Sequence, residues 1–121
     1  MKILICGDRA WTNVRKIEAY LRRVQQTTGL IGSEITIIHG ACRGADSVAG
    51  DIAKSLGMAV VPFPAEWNGL KKAAGPIRNQ KMLDEHPDLV VAFHAKLKTS
   101  KGTLDCIMEA NRRGVRVEII P

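Results

Sequence analysis

Aromatic side chains make up only 4% of the 121 residues: two Trp, two Phe and one Tyr. Proteins that track a long single strand of nucleic acid stack successive bases on aromatic rings, so this chain has few platforms for that work. Cysteine is also scarce. Cys6, Cys42 and Cys106 are odd in number, far apart and free of any Cys-x-x-Cys pair. This argues against a disulfide framework and points to a reducing cytoplasm. No apolar run approaches the length of a membrane span, and a strand starting at Lys2 leaves no room for a signal peptide. Linkers and low-complexity segments are absent, so one domain over residues 1–121 is expected, with room for a real core. Acidic residues are in deficit, 12 against 18 Lys and Arg, for a net charge of +6. The balance favours an anionic partner, a nucleotide-like small molecule or a nucleic acid, although a solvated basic surface gives the same count. His39 and Cys42 have a metal-like spacing, with His94 and Cys106 as further candidates. No paired ligand motif accompanies them, so neither a metal nor a cofactor is expected.

What is present is an alternation of short apolar runs and helical patterns. Lys2–Cys6 predicts a first strand. Thr12 then stands where a helix N-cap would, ahead of Val14, Ile17, Leu21 and Val24 on one face, and Gly29 is placed to end the helix. Ile35–Ile38 predicts a second strand. It runs into a turn with glycines at 40 and 44, followed by a helix that buries Val48, Ala49, Ile52, Ala53 and Leu56 and closes at Gly57. Ala59–Phe63 is a third strand. After an irregular stretch, Pro76 fits the first position of a third helix, which His86-Pro87 stops. Leu89–Phe93 is apolar throughout, as expected of a strand buried on both faces. A fourth helix with Leu104, Ile107 and Met108 inward ends at Gly114, and Val115–Ile120 is the last strand. Such an alternation predicts an α/β fold, a Rossmann-like three-layer αβα sandwich on a five-stranded parallel sheet with right-handed crossovers. The expected strand order is 3-2-1-4-5, with 2-1-3-4-5 as the alternative.

The unusual residues gather after strand ends. Gly7, Asp8, Arg9 and Trp11 follow the first strand, and Gly40, Arg43, Gly44 and Asp46 the second. Trp67 follows the third, while His94, Lys101, Gly102 and Thr103 follow the fourth. Ligands of open parallel sheets bind at that carboxyl edge. The 40–46 turn suits phosphate, because glycine admits close backbone approach, the first helical N–H groups lack partners, and Arg43 adds a charge. Its Gly-x3-Gly spacing is neither a dinucleotide fingerprint nor a Walker loop, and an ordinary βα connection reads the same way. Asp46 can cap its helix or hold a ligand hydroxyl. Trp11 and Trp67 can fill the core rim or stack on a base. Lys96, Lys98 and Lys101 can be solvated charges or a phosphate collar. Cys106 reads as a buried structural cysteine, since no base accompanies it.

Taken in order, Gly-Asp-Arg-x-Trp, His-Gly-x3-Gly-Ala-Asp, Trp-x6-Ala-Gly-Pro-x-Arg-Asn and Lys-Gly-Thr resemble the SLOG superfamily. That Rossmann-like group includes the Smf/DprA DNA-processing proteins and the "lonely guy" phosphoribohydrolases, and this chain is most similar to its small single-domain bacterial and phage branch. The resemblance implies a nucleotide or nucleotide-derived ligand at the strand ends. Gly40, Gly44 and Asp46 would line the first loop, Arg78 and Asn79 the arginine-bearing turn, and Gly102 and Thr103 the second loop. In the phosphoribohydrolases the second loop reads Pro-Gly-Gly-x-Gly-Thr-x-x-Glu. Here Cys106 stands in the place of that Glu, and two of the glycines are missing.

The resulting expectation is a binding domain for a nucleotide or nucleotide-derived signal, acting as a sensor or sequestering protein. One alternative is an N-glycosidic hydrolase with Asp105 or Glu109 as its acid. The other is a single-strand nucleic-acid binder. A homo-oligomer is compatible with each, and none involves a membrane.

Overall fold

The computed structural model describes residues 1–66, 73–97 and 100–121. Elements follow the chain as β1 (Lys2–Gly7), α1 (Val14–Thr28), a 3-10 turn (Gly32–Glu34), β2 (Thr36–His39), α2 (Ala45–Ser55), β3 (Ala59–Pro62), α3 (Ala74–Leu83), β4 (Leu89–Phe93), α4 (Lys101–Arg112) and β5 (Val117–Ile120). The five strands form one sheet in the order β3-β2-β1-β4-β5. Every pairing is parallel. This is the expected Rossmann-like arrangement, and its switch point falls between β1 and β4.

Alternation along β1 divides the core. Ile3 and Ile5 face a cluster with Ile17, Tyr20 and Leu21 of α1 and Ala49, Ile52 and Ala53 of α2. Leu4 and Cys6 face the opposite cluster, with Met82 and Leu83 of α3 and Cys106, Ile107 and Ala110 of α4. Each fully buried Ile or Leu contributes about 1.5–3 kcal/mol by leaving water. All five residues of β4 are buried, as its apolar run predicts, because helices cover both of its faces. Among the described residues no helix is long and apolar enough to cross a membrane.

Several local expectations are corrected. Asn13, not Thr12, caps α1, its side chain accepting the Lys16 N–H at 3.1 Å. Val14 is consequently the first helical residue and stays half exposed. Ile35 closes the 3-10 turn through its N–H to Gly32 O, and Val115 bonds back to Ala110 O. Each therefore gives its N–H to the element before it and stands just ahead of its strand, although its side chain suits one. Met108 points to solvent at 68% exposure. The inward stripe of α4 is Thr103, Cys106, Ile107 and Ala110, a clean i, i+3, i+4, i+7 set that leaves Met108 on the far side. Helix α3 begins at Ala74, two residues before Pro76. Proline is tolerated there because its missing N–H falls among the first four amides that no helix can satisfy.

Candidate functional site

The carboxyl ends of β1 and β4 open into a cavity of about 730 Å³. Its walls come from the turn after β1, the turn after β2, the start of α3, His94 and Lys96 beyond β4, and the N-cap and first turn of α4. Gly7 lets the β1 end pass beside β4, where a Cβ would lie 2.4 Å from Phe93 O. The Gly7 carbonyl accepts the Thr103 hydroxyl at 3.2 Å, which ties α4 to the central strand.

The turn after β2 is filled by its own chain. Asp46 accepts the Gly40 and Cys42 amides at 3.0 and 3.4 Å, both on Oδ2. Its position is the second of α2, whose N-cap is Gly44, so the carboxylate braces the preceding turn instead of capping the helix. The Ala41 N–H goes to His39 Nδ1 at 3.0 Å, and the Ala45 N–H to Asp8 O at 3.0 Å. Gly44, at φ 79°, lies under the β1 turn; a Cβ there would meet Asp8 O at 2.3 Å. Gly40 is equally constrained, since its Cβ would fall 2.2 Å from Arg78 Nη1. The helix end expected to receive phosphate is thus covered by backbone.

Arg78 joins this turn to the other wall. It is 8% exposed. Its Nη1 donates to Gly40 O at 2.6 Å and its Nε to Asn79 Oδ1 at 3.0 Å. The Asn79 amide donates onward to Asp105 Oδ2 at 2.9 Å and Gly102 O at 3.2 Å. A continuous polar chain therefore runs from Asp46 through Gly40, Arg78 and Asn79 to Asp105. Burial raises the Asp46 carboxyl to about 6, against the lowering effect of the Cys42 amide, Arg78 and the Gly40 amide. Cys6, lining the cavity, is pushed up by the neighbouring Cys106 thiol and by burial, so it reads as inert packing.

Of the residues singled out from sequence, Gly7, Asp8, Arg9, Asp46, Arg78, Asn79, Lys101, Gly102, Thr103 and Asp105 line the cavity. Gly40 and Gly44 stand behind the wall as spacers. Arg43 is exposed and outside the lining, because its turn is folded inward onto Asp46. Trp11 is outside it too: its ring packs edge-on to Phe93 at 5.6 Å, and its Nε1–H donates to Asn13 O. Tyr20 packs on the same Phe93 at 5.8 Å, so three of the five aromatic rings form one core cluster. Glu109 lies away from the cavity, held below its ordinary range by hydrogen bonds from Arg113 and Arg112. Trp67 and Lys98 fall outside the described residues. Sequence reasoning passed over Gly75, Pro76 and Ser100 and did not assign His94 to the site, though all four line it. The position of His94 immediately after a buried strand was the available signal.

The lining carries Arg9, Arg78, Lys96 and Lys101 against Asp8, Asp46 and Asp105. The N-terminus of α4 opens onto it without a side-chain cap bond. Such an end presents unpaired amides and a positive dipole to anions. The start of α3 also lines the cavity, but Ala73 ahead of it is already helical at φ −80° and ψ −12°, and Pro76 has no N–H to offer. Among the described residues no three His, Cys, Asp or Glu gather as a metal site needs.

Comparison with known proteins places this geometry. The YAcAr model, described as the YspA, cpYpsA-related SLOG family, matches residues 1–69. Gene 61 protein of Mycobacterium phage D29 is 32% identical over 123 residues, spanning 96% of this chain and 93% of that protein. Among solved structures, DNA processing protein A (DprA) from Streptococcus pneumoniae superposes with a TM-score of 0.75 at 18% identity, covering 99% of this chain and 50% of that one. TM1055, a structural-genomics target, gives 0.67 at 18% identity, covering 96% of this chain and 71% of that one. The chain thus spans about half the length of the DprA chain, and these two structures speak to the fold alone.

Proposed function

The chain belongs to the YspA, cpYpsA-related SLOG family, and from that premise we propose that its cavity binds a nucleotide or nucleotide-derived ligand, as a sensor or sequestering protein. The observation that carries this reading is the N-terminus of α4, which has no side-chain cap bond, opening with Arg9, Arg78 and Lys101 onto one cavity that also holds two carboxylates. The helix end and the cations suit phosphate. The carboxylates suit sugar hydroxyls: both described bonds of Asp46 fall on Oδ2 and that of Asp105 on Oδ2, so each keeps Oδ1 as an acceptor. A volume of about 730 Å³ lies within the range of small-molecule sites.

Calorimetry and thermal shift with AMP, ribose 5-phosphate and adenosine test this. AMP raises the melting temperature by mass action, ribose 5-phosphate does so less, and uncharged adenosine hardly at all. Equal shifts with AMP and adenosine would sink the phosphate assignment. A hydrolytic reading has one specific support, the placement of Asp105 in the cavity by Asn79. Glu109 has no such support. Chromatography of AMP incubated with micromolar protein separates the two readings, and we expect no base release above background. For a single-strand binder, affinity for oligonucleotides would instead fall steeply with salt.

A further inference from the structure

His94 is the first residue beyond β4 and is only 6% exposed. Its backbone N–H donates to Ile120 O at 2.9 Å. Its Nδ1 accepts the Lys96 N–H at 3.0 Å, closing a tight turn. A ring nitrogen that accepts carries no proton, so in the neutral imidazole the proton sits on Nε2. Nε2 has no hydrogen-bond partner among the described residues, yet none of their side-chain nitrogens or oxygens is both buried and unpartnered. Nε2 therefore reaches open space, and the space that His94 lines is the cavity.

The turn itself does not require histidine. An acceptor for an amide two residues on is what Asn or Asp supplies in such turns. The surplus is a second nitrogen, farther from the backbone, carrying a donor. The same cavity is lined by Ser100, Lys101, Gly102 and Thr103, the N-cap and first turn of the 12-residue helix α4. The Ser100 side chain makes no cap bond, and among the described residues nothing beyond the helix itself lies within 4 Å of where a Gly102 Cβ would be. A buried donor and an open helix end thus share one wall.

We propose that His94 contacts the ligand directly, its Nε2–H and the first-turn amides of α4 together seating one phosphate group. This deepens the nucleotide reading by assigning the phosphate to the α4 wall and not to the β2 turn, and it rests on that reading for the rest of the ligand. A neutral donor beside a helix dipole favours the anion without adding a fixed charge.

The test uses the full chain with AMP and inorganic pyrophosphate as probes. His94→Asn keeps an acceptor for the Lys96 amide and removes the Nε2–H. His94→Gln removes that acceptor and places an amide donor near the Nε2 position. On the wild type, histidine ¹⁵N NMR reads the tautomer and any movement of Nε2 without a mutation. We expect the Nε2–H tautomer, an Nε2 shift on adding AMP, and AMP affinity weakened roughly tenfold to hundredfold in His94→Asn, the usual range for a hydrogen bond to a charged group. His94→Gln should recover part of the loss despite a lower melting temperature. If AMP binds wild type and His94→Asn equally and Nε2 does not move, the assignment to His94 is overturned while the nucleotide reading stands. If AMP fails to bind but pyrophosphate moves Nε2, the phosphate seat stands and the nucleotide reading falls. If neither probe moves Nε2, both are overturned.

Discussion

The turn after β2 and the turn into α4 border the same cavity, and each has glycine where a helix starts, at its N-cap in α2 and in its first turn in α4, yet their chemistry is opposite. In the first, the amides of residues 40, 41, 42 and 45 are taken by Asp46, His39 and Asp8, and Arg78 takes the Gly40 carbonyl. Its glycines exist so that protein can approach protein. In the second, Ser100 leaves the helix end without a side-chain cap, and no described residue beyond the helix itself comes within 4 Å of a Cβ at Gly102. A glycine-bearing βα turn is therefore not an anion site by virtue of its glycines. What decides is whether the chain has already used the amides.

Alanine in place of glycine separates the two turns most sharply. Gly44 sits at φ 79°, ψ −131°, with Asp8 O and Arg9 O at 2.3 and 2.4 Å from a Cβ. Gly44→Ala combines a backbone conformation that L-residues avoid with overpacking against carbonyls that cannot shift without moving the β1 turn. A loss of about 3 kcal/mol or more is expected by denaturant titration. Gly102→Ala meets no described residue outside its own helix and adds a helix former to the first turn of α4, so it should be neutral or gain up to about 1 kcal/mol. Equal losses at both positions would show that the second turn is as tightly committed as the first.

The closed turn also holds its carboxylate at a cost that pH can reveal. The Asp46 carboxyl rises from 3.8 to about 6 on folding, chiefly through burial. Between those values the folded protein keeps a proton that the unfolded chain releases. The associated stability is fully present below pH 3.8 and is lost as pH rises through about 6. The loss is on the order of 2–3 kcal/mol. In Asp46→Asn this dependence disappears while one amide acceptor for the Gly40 and Cys42 N–H groups remains. The mutant should therefore gain on wild type between pH 4.5 and 7.5, measured by chemical denaturation at both. A difference that stays flat with pH would mean that Asp46 remains solvated and the turn is looser than described.

The sheet order was legible because its causes are local. Apolar runs, helical spacing and glycines such as Gly29 and Gly114 at helix ends fix the alternation of elements, and the handedness of parallel crossovers then leaves few topologies. The cavity's place at the strand ends followed from the same rule. What stayed hidden depends on partners distant in sequence. Nothing near Asp46 announces that it braces Gly40, and nothing near Arg78 announces a bond across 38 positions. Trp11 was legible as an aromatic in an edge loop, but its direction is set by Phe93, on a strand far along the chain. His94 went unassigned because its role depends on which of its nitrogens the turn consumes.

The smallest change in stability should accompany a large change in binding, at Ser100. This residue is the N-cap of α4 with φ −110° and ψ 101°, an extended conformation from which a longer acceptor can reach the amides of the first turn. Its own hydroxyl does not do so. Ser100→Asp supplies the missing acceptor and a negative charge where the helix dipole is positive. The empty protein should be stabilised by about 0.5–1 kcal/mol. In an open seat, however, the same carboxylate occupies the position of the ligand's phosphate and repels it. AMP affinity should therefore fall at least tenfold while the melting temperature rises by a few degrees, a pairing that ordinary damage to the fold does not produce. Ser100→Asn divides the effect: it can fill the seat without the charge, so any weakening it shares with Ser100→Asp is occlusion and the remainder is repulsion, which salt should screen. If Ser100→Asp raises stability and leaves AMP affinity intact, the phosphate is not at α4. The wall formed by Gly75, Pro76 and Arg78 of α3 would then be the one to test.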